Sequence, residues 1–328
     1  MTTSAAPLSA RQSSRWPLAL GWVGLTVVLI LTVPDLPWQR AVDHTKRIHA
    51  GWLTAALVAN LIILPLWAAE WRLLVPGTVR VAYRRMFEVV SVTAAVLNSV
   101  PFFAGEASGV ALLIARAGLS RGAALSVLAM DQLLVGFAKL ALIAATALYV
   151  PLPGWLRGGI LSLLGGVVAL LAILLLLAHR WATLRDRLLD RPSKIRELGA
   201  RLMAWGTHFD ALREPGRARR LTALALAKKG AELLGILAVQ MAFGVEPTFA
   251  GALLVLAALS ITTLLPVTPA NLGVYEATVF ATYRFLGLPA ESALGMAIVQ
   301  HLCFLLPPLT TGYALLTVRQ LKRRRPLV

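Results

Sequence analysis

The feature that most limits what this chain can become is a series of unbroken apolar runs, each long enough to cross a bilayer. They lie at about 17–34, 51–71, 121–149, 159–179, 221–243 and 290–317. A helix needs about 20 apolar residues to cross the ~30 Å hydrocarbon layer. Composition removes the competing reading of a large soluble core. Of 328 residues, 58% are hydrophobic and 14% charged, against about 25% charged in soluble domains. The mean hydropathy is +0.74. So much apolar surface cannot be hidden inside one water-soluble core. The chain reads as an all-α polytopic membrane protein with six spanning helices.

Two further apolar regions, 86–117 and 249–287, are interrupted near their middles. The first break is Pro101-Phe102-Phe103-Ala104-Gly105-Glu106-Ala107. The second runs from Pro266 through Thr268, Pro269, Asn271, Gly273 and Tyr275 to Glu276 and Ala277. Proline removes a backbone donor and ends a helix. Irregular backbone at membrane depth must be surrounded by protein or water. Both regions therefore read as re-entrant helical hairpins that enter and leave on the same side.

The net charge of +17 would suggest nucleic acid in a soluble protein. Here the basic residues sit between and after the apolar runs, as membrane orientation requires, so no nucleic-acid partner is expected. Segments 72–85 and 180–220, the C-terminal tail, Arg11 and Arg15 carry 22 Lys and Arg on one set of ends. The other set carries four: Arg40, Lys46, Arg47 and Arg157. The rich set is cytoplasmic, which puts both termini inside a cytoplasmic (inner) membrane. The parity holds only if each hairpin counts as zero or two crossings. The run after Arg15 has signal-peptide character but no small-residue cleavage site, so it reads as a retained first span. Loop 180–220 reads as a basic anchor lying along the membrane surface, able to gather anionic headgroups. Trp16, Trp38, Trp52, Trp71, Trp155 and Trp181 read as interface anchors.

The two broken regions match each other. Gly105-Glu106-Ala107, Arg116, Gly118-Leu119, Ala124-Leu125 and Asp131 correspond to Tyr275-Glu276-Ala277, Arg284, Gly287-Leu288, Ala293-Leu294 and Gln300. Gly118 to Asp131 and Gly287 to Gln300 are both 13 residues apart. The chain then divides into halves 1–150 and 151–328. The first half starts inside and the second outside, an inverted repeat of the kind that places a transporter's site near the midplane.

Charge inside a bilayer is costly, and marks candidate sites. Glu106 and Glu276 fall near the hairpin tips, where they either contact substrate or stabilise the start of a returning half-helix, with Thr268 and Asn271 as caps. Arg116 and Arg284 lie eight to ten residues further on, placed to pair with the glutamates, bind phosphate or snorkel. Asp131 and Lys139 share a face of one span. Lys228, Lys229 and Glu232 cluster in another, where Lys228 and Glu232 are i,i+4 neighbours able to neutralise each other. Gln300 and His301 stand side by side, His301 either hydrogen-bonded structure or a pH-sensitive group. Cys303 is the one cysteine. Neither it nor the five histidines form a metal-ligand spacing. No cofactor, metal or catalytic constellation is expected, and the chain does not read as an enzyme.

At the two glutamate motifs the chain resembles the membrane region of lysylphosphatidylglycerol synthases, the flippase-like (YbhN-like) family. The likeness covers about 20–320 and rests on Gly105-Glu106 with Arg116, and on Leu265-Pro266 through Asn271-Leu272-Gly273-Val274-Tyr275-Glu276-Ala277. This chain carries Asn271 and Tyr275 where the family often shows glycine and, near the latter, arginine. The resemblance implies a lipid-translocating domain of a bacterial inner membrane, without the soluble aminoacyl-transferase domain of the full synthases. The expected partner is an anionic phospholipid or a polyprenyl-linked headgroup, moved between the hairpins by a protein free to self-associate. Glu106, Glu276, Asn271 and Tyr275 would line its path, with Arg116, Arg284, Lys139 and Lys228 as phosphate contacts beside Asp131 and Glu232. The competing readings are an ion-coupled transporter of a small solute, a lipid-modifying transferase subunit, and a membrane partner of a separate enzyme.

Overall fold

The computed structural model describes residues 48–77, 79–100, 104–150, 214–246, 248–264 and 268–324, with isolated positions between 154 and 169. The expected spans 17–34 and 159–179, and loop 180–220 as far as residue 213, lie outside these, apart from a few positions of the second span. The described residues build eight α-helices. They are α1 (Ala50–Leu74), α2 (Tyr83–Leu97), α3 (Ala104–Ala117), α4 (Arg121–Tyr149), α5 (Pro215–Ala242), α6 (Phe249–Thr262), α7 (Val274–Phe285) and α8 (Ala290–Arg324). A single 3₁₀ turn, Pro269–Asn271, precedes α7.

Among the described residues, three helices are long and apolar enough to cross a membrane: α1, α4 and α8 over Ala290–Lys322. At 1.5 Å per residue, 25 residues of α1 reach about 37 Å and 29 residues of α4 about 43 Å. This is a membrane protein. α5, with 28 residues, also exceeds ~30 Å. It starts at Pro215, so residues 215–220 belong to a helix and not to the basic loop. Pro215 suits the first helical turn, where its missing N–H has no intrahelical partner to lose.

The two interrupted regions each fold into a pair of short helices packed against each other, α2 with α3 and α6 with α7. Their lengths are 15, 14, 14 and 12 residues, or about 18–22 Å, too short to cross. In the first pair the arms close tightly at Gly105, where an added Cβ would lie 2.5 Å from the Leu97 Cα. In the second, residues Gly251 through Ser260 of α6 are all buried. That short apolar helix is wrapped by other helices on every side, as a non-spanning element at membrane depth requires.

α1 and α5 form the central pair. Small residues, among them Ala56, Ala59, Ala231 and Gly235, let the backbones approach. The two run antiparallel. At one end the His49 N–H donates to the Ala242 carbonyl at 3.0 Å. At the other, Arg217 reaches from the start of α5 to the end of α1. It donates from Nε (2.7 Å) and Nη2 to the Leu73 carbonyl, and from Nη2 to the Val75 carbonyl at 2.7 Å.

The remaining contacts obey an exchange rule. α2 packs on α8, and α6 on α4; α1 touches α8, and α5 touches α4; α3 packs on α4, and α7 on α8. Every such pairing recurs when α1–α4 are swapped for α5–α8. α8 meets α2 closely at Gly312, whose Cβ would stand 2.4 Å from the Ser91 carbonyl oxygen of α2.

One anchor expectation is corrected. Trp71 is fully buried, at the centre of an apolar cluster with Met86, Val89 and Leu113, so it is core and not an interface residue. Trp52 does stand exposed.

Candidate functional site

Three polar arrangements lie among these helices. The first is ionic. Lys228 of α5 is buried with its Nζ 2.5 Å from Glu70 Oε2 of α1 and 3.5 Å from Asp131 Oδ1 of α4. Trp67 donates its indole N–H to Asp131 Oδ1 at 3.0 Å, and the ammonium lies 5.7 Å from the Trp67 ring centre, within cation–π range. Glu70 is entirely buried, as such a charge can be only beside its counter-ion. This corrects the expected Lys228–Glu232 neutralisation. Glu232 is held instead by Lys229, whose Nζ donates to both carboxylate oxygens at 2.8 and 2.6 Å.

The second is a cavity of about 100 Å³, room for several waters. Six helices and the 3₁₀ turn contribute to its wall. Its polar lining includes Lys139 of α4, Lys229 and Glu232 of α5, Asn60 of α1, Asn271 of the turn and Gln300 of α8. Ser260, Thr263 and Tyr275 complete it. Asn60 fits because Gly235 faces it: a Cβ there would lie 2.7 Å from Asn60 Nδ2. Lys229 and Glu232 satisfy each other, whereas among the described residues no carboxylate lies within ion-pair distance of Lys139. The Asn271 Oδ1 is buried and accepts no hydrogen bond from the described residues. The wall thus presents one surplus cation together with unused polar capacity.

The third arrangement closes one side of that cavity. The turn ends at Gly273, whose φ of 82° suits glycine alone among unstrained residues. Glu276 Oε2 accepts the Gly273 N–H at 2.8 Å. The cap of α7 is therefore Gly273 assisted by Glu276, and neither Thr268 nor Asn271 plays that part; the Thr268 hydroxyl donates to the Leu272 carbonyl. Glu276 Oε1 lies 2.7 Å from His301 Nδ1, and His301 Nε2 lies 2.9 Å from the Ala270 carbonyl. Tyr275 stacks on the imidazole with centroids 4.1 Å apart. Gln300 donates to Tyr275 Oη at 3.1 Å and accepts from Tyr283 Oη, which itself accepts from Gln240.

Of the residues singled out from sequence, Lys139, Glu232, Asn271 and Tyr275 meet at the cavity. Lys228 and Asp131 meet at the ionic cluster. Glu276 stands behind the cavity wall rather than in it. Glu106 is half-buried in the first turn of α3, with a buried Oε2 that has no hydrogen-bond partner among the described residues. Neither glutamate is among the residues that line this cavity. Arg116 is half-buried in the last turn of α3. Arg284 is exposed and donates to the Leu288 carbonyl at 2.6 Å, closing the end of α7 away from the cavity. Glu70 and Asn60 were not singled out, although a polar residue inside an apolar run is itself the signal that could have found them.

The family model described as "Lysylphosphatidylglycerol synthase TM region" matches residues 16–312. No curated protein matches the chain. With nearly its whole length matched, and a helical membrane fold around a polar interior, the chain belongs to the family of the lysylphosphatidylglycerol synthase transmembrane region.

Proposed function

We propose that the protein carries the phosphate-bearing headgroup of an anionic lipid across the bilayer through the cavity, while the acyl chains stay in the membrane. The observation that carries this reading is the surplus cation. Two ammonium groups and one carboxylate face a space of about 100 Å³ inside an apolar helical domain, and Lys139 is left to meet an anion. Family membership supports a lipid-related role. In this reading the lipid moves without chemical change, and the protein acts as a transporter rather than an enzyme.

The architecture we propose is six spans and two re-entrant hairpins in an inverted repeat, with both termini cytoplasmic. The antiparallel course of α1 and α5, the exchange rule of the contacts and the four short helices support it. So does the gathering of Arg72, Arg80, Arg84 and Arg217 at the end of the molecule where α1 finishes and α5 begins.

The small volume favours one second reading, transport of a free phosphate-like anion. Proteoliposomes separate the two. Movement of a fluorescent anionic phospholipid, read by quenching from outside, should occur with the protein and fall at least tenfold with Lys139→Met. Uptake of labelled inorganic phosphate with no lipid movement would favour the second reading, and neither activity would remove both.

A further inference from the structure

The number of protons on the Glu276–His301 pair can be read from its surroundings. His301 Nε2 faces the Ala270 carbonyl at 2.9 Å. A carbonyl only accepts, so Nε2 carries a hydrogen. Nδ1 faces Glu276 Oε1 at 2.7 Å, and two bare lone pairs do not meet at that distance. One more proton lies between them, either on the ring as imidazolium with carboxylate or on the glutamate as carboxylic acid with neutral imidazole. Both states hold the same number of protons and satisfy both contacts.

Removing that shared proton makes the two contacts incompatible. The ring then has one N–H for two acceptors. The bond to the carboxylate is charge-assisted and the stronger, so the hydrogen stays at Nδ1 and a bare Nε2 faces the Ala270 oxygen. The loss falls on the turn. That turn is held in an unfavourable form, with Ala270 and Asn271 at φ 54° and 55°, which non-glycine residues keep only when their surroundings enforce it. Asn271 and Tyr275, the residue stacked on His301, are both in the cavity wall. The Glu276 side chain is 24% exposed and that of His301 2%, so the glutamate is the proton's way in.

We propose that Glu276 and His301 form a binding site for one exchangeable proton, whose departure frees the Pro269–Asn271 turn and opens the cavity wall. On the transport reading above, the proton is then the coupling ion. The other charges near the pair are accounted for. From α5, Glu232 is neutralised by Lys229; from α4, Lys139 faces the cavity; from α1, Glu70 is held by Lys228. α6 carries no charged residue and lines the cavity with Leu256, Leu259 and Ser260. On α7 Arg284 is turned to Leu288. Glu88 of α2 meets Arg319, 18 residues from His301 along α8 and so about 27 Å away.

The experiment uses the full chain in nanodiscs, with Ser260→Cys as a reporter in the cavity wall and Cys303→Ser to remove the native thiol. Labelling by a charged methanethiosulfonate is followed against pH and divided by the rate at an exposed control, Glu246→Cys. The corrected rate should rise at least tenfold as pH rises. Glu276→Gln imitates the protonated acid: its amide N–H donates to Nδ1, its oxygen still accepts from Gly273, and Nε2–H stays on Ala270. Labelling in that variant should remain slow at every pH. His301→Ala should be fast at every pH. A flat profile with the native pair, or a rise that survives Glu276→Gln, overturns the proposal. Labelling needs no transport, so the expected pattern beside a failed lipid assay removes the transport reading and leaves the proton site standing.

Discussion

Lys228→Met tests the ionic cluster most directly. Methionine keeps the length and the apolar stem but removes the cation that lies between Glu70 and Asp131, both almost fully buried. Breaking a buried pair from one side costs about 3–5 kcal/mol, because the remaining charge has neither water nor partner. The distances also predict an order of rescue. Coulomb energy falls as 1/r, so the contact at 2.5 Å to Glu70 outweighs that at 3.5 Å to Asp131. Asp131 in addition keeps the Trp67 N–H when the lysine is gone. Adding Glu70→Gln to Lys228→Met should therefore recover about 1–3 kcal/mol, in the range of coupling energies between residues in contact, and adding Asp131→Asn should recover less. Equilibrium unfolding in bicelles with all single and double variants supplies the cycle. A cost below about 1 kcal/mol for Lys228→Met, or a better rescue by Asp131→Asn, would refute the assignment of charges.

Gly312→Leu should destabilise by about 1–3 kcal/mol through overpacking, since its Cβ would strike the Ser91 carbonyl and Ala95 of α2; Gly230→Ala, with nothing within 4 Å, should be neutral or stabilising in the same unfolding assay. Arg217→Ala should cost about 1.5–3 kcal/mol, the worth of a hydrogen bond to a charged group, and raise amide exchange over Leu73–Val81 in deuterium-exchange mass spectrometry. Tyr313→Phe removes the hydroxyl contact to Ser99 at 2.7 Å and should cost about 0.5–1.5 kcal/mol without changing the lipid movement proposed above.

Helix positions were legible where hydropathy and punctuation agreed. The reading 121–149 is the observed α4, because Gly118 and Ser120 mark its start and Ser120 accepts the Ala123 N–H as cap. The breaks at Pro101 and Pro266 likewise marked where each pair of short helices separates. The site was less legible because its contacts cross between helices. Spacing within α5 made Glu232 the natural partner of Lys228, yet Glu70 lies on another helix 158 positions earlier in the chain. Glu70 escaped notice because it sits beside Arg72 near the end of an apolar run, where a charge normally reaches water. His301 and Glu276 were each flagged, but their meeting depends on α7 returning against α8, which no local pattern encodes. The surroundings of Asn60 were hidden for a related reason: its niche is made by Gly235, an absence of side chain on a different helix.

The clamps at both ends of the α1–α5 pair limit how this protein can move. If one helix slid along the other by a single turn, His49 would leave Ala242 and Arg217 would leave Leu73 and Val75 in the same motion. The pair therefore behaves as a shaft seated in two bearings. The proposed transport would then depend on the helices mounted on it. α4 with α6 forms one arm and α2 with α8 the other, and both line the cavity, the first through Lys139 and Ser260 and the second through Gln300. Crosslinks engineered between α1 and α5 should leave activity intact, while one between α4 and α6 should stop it.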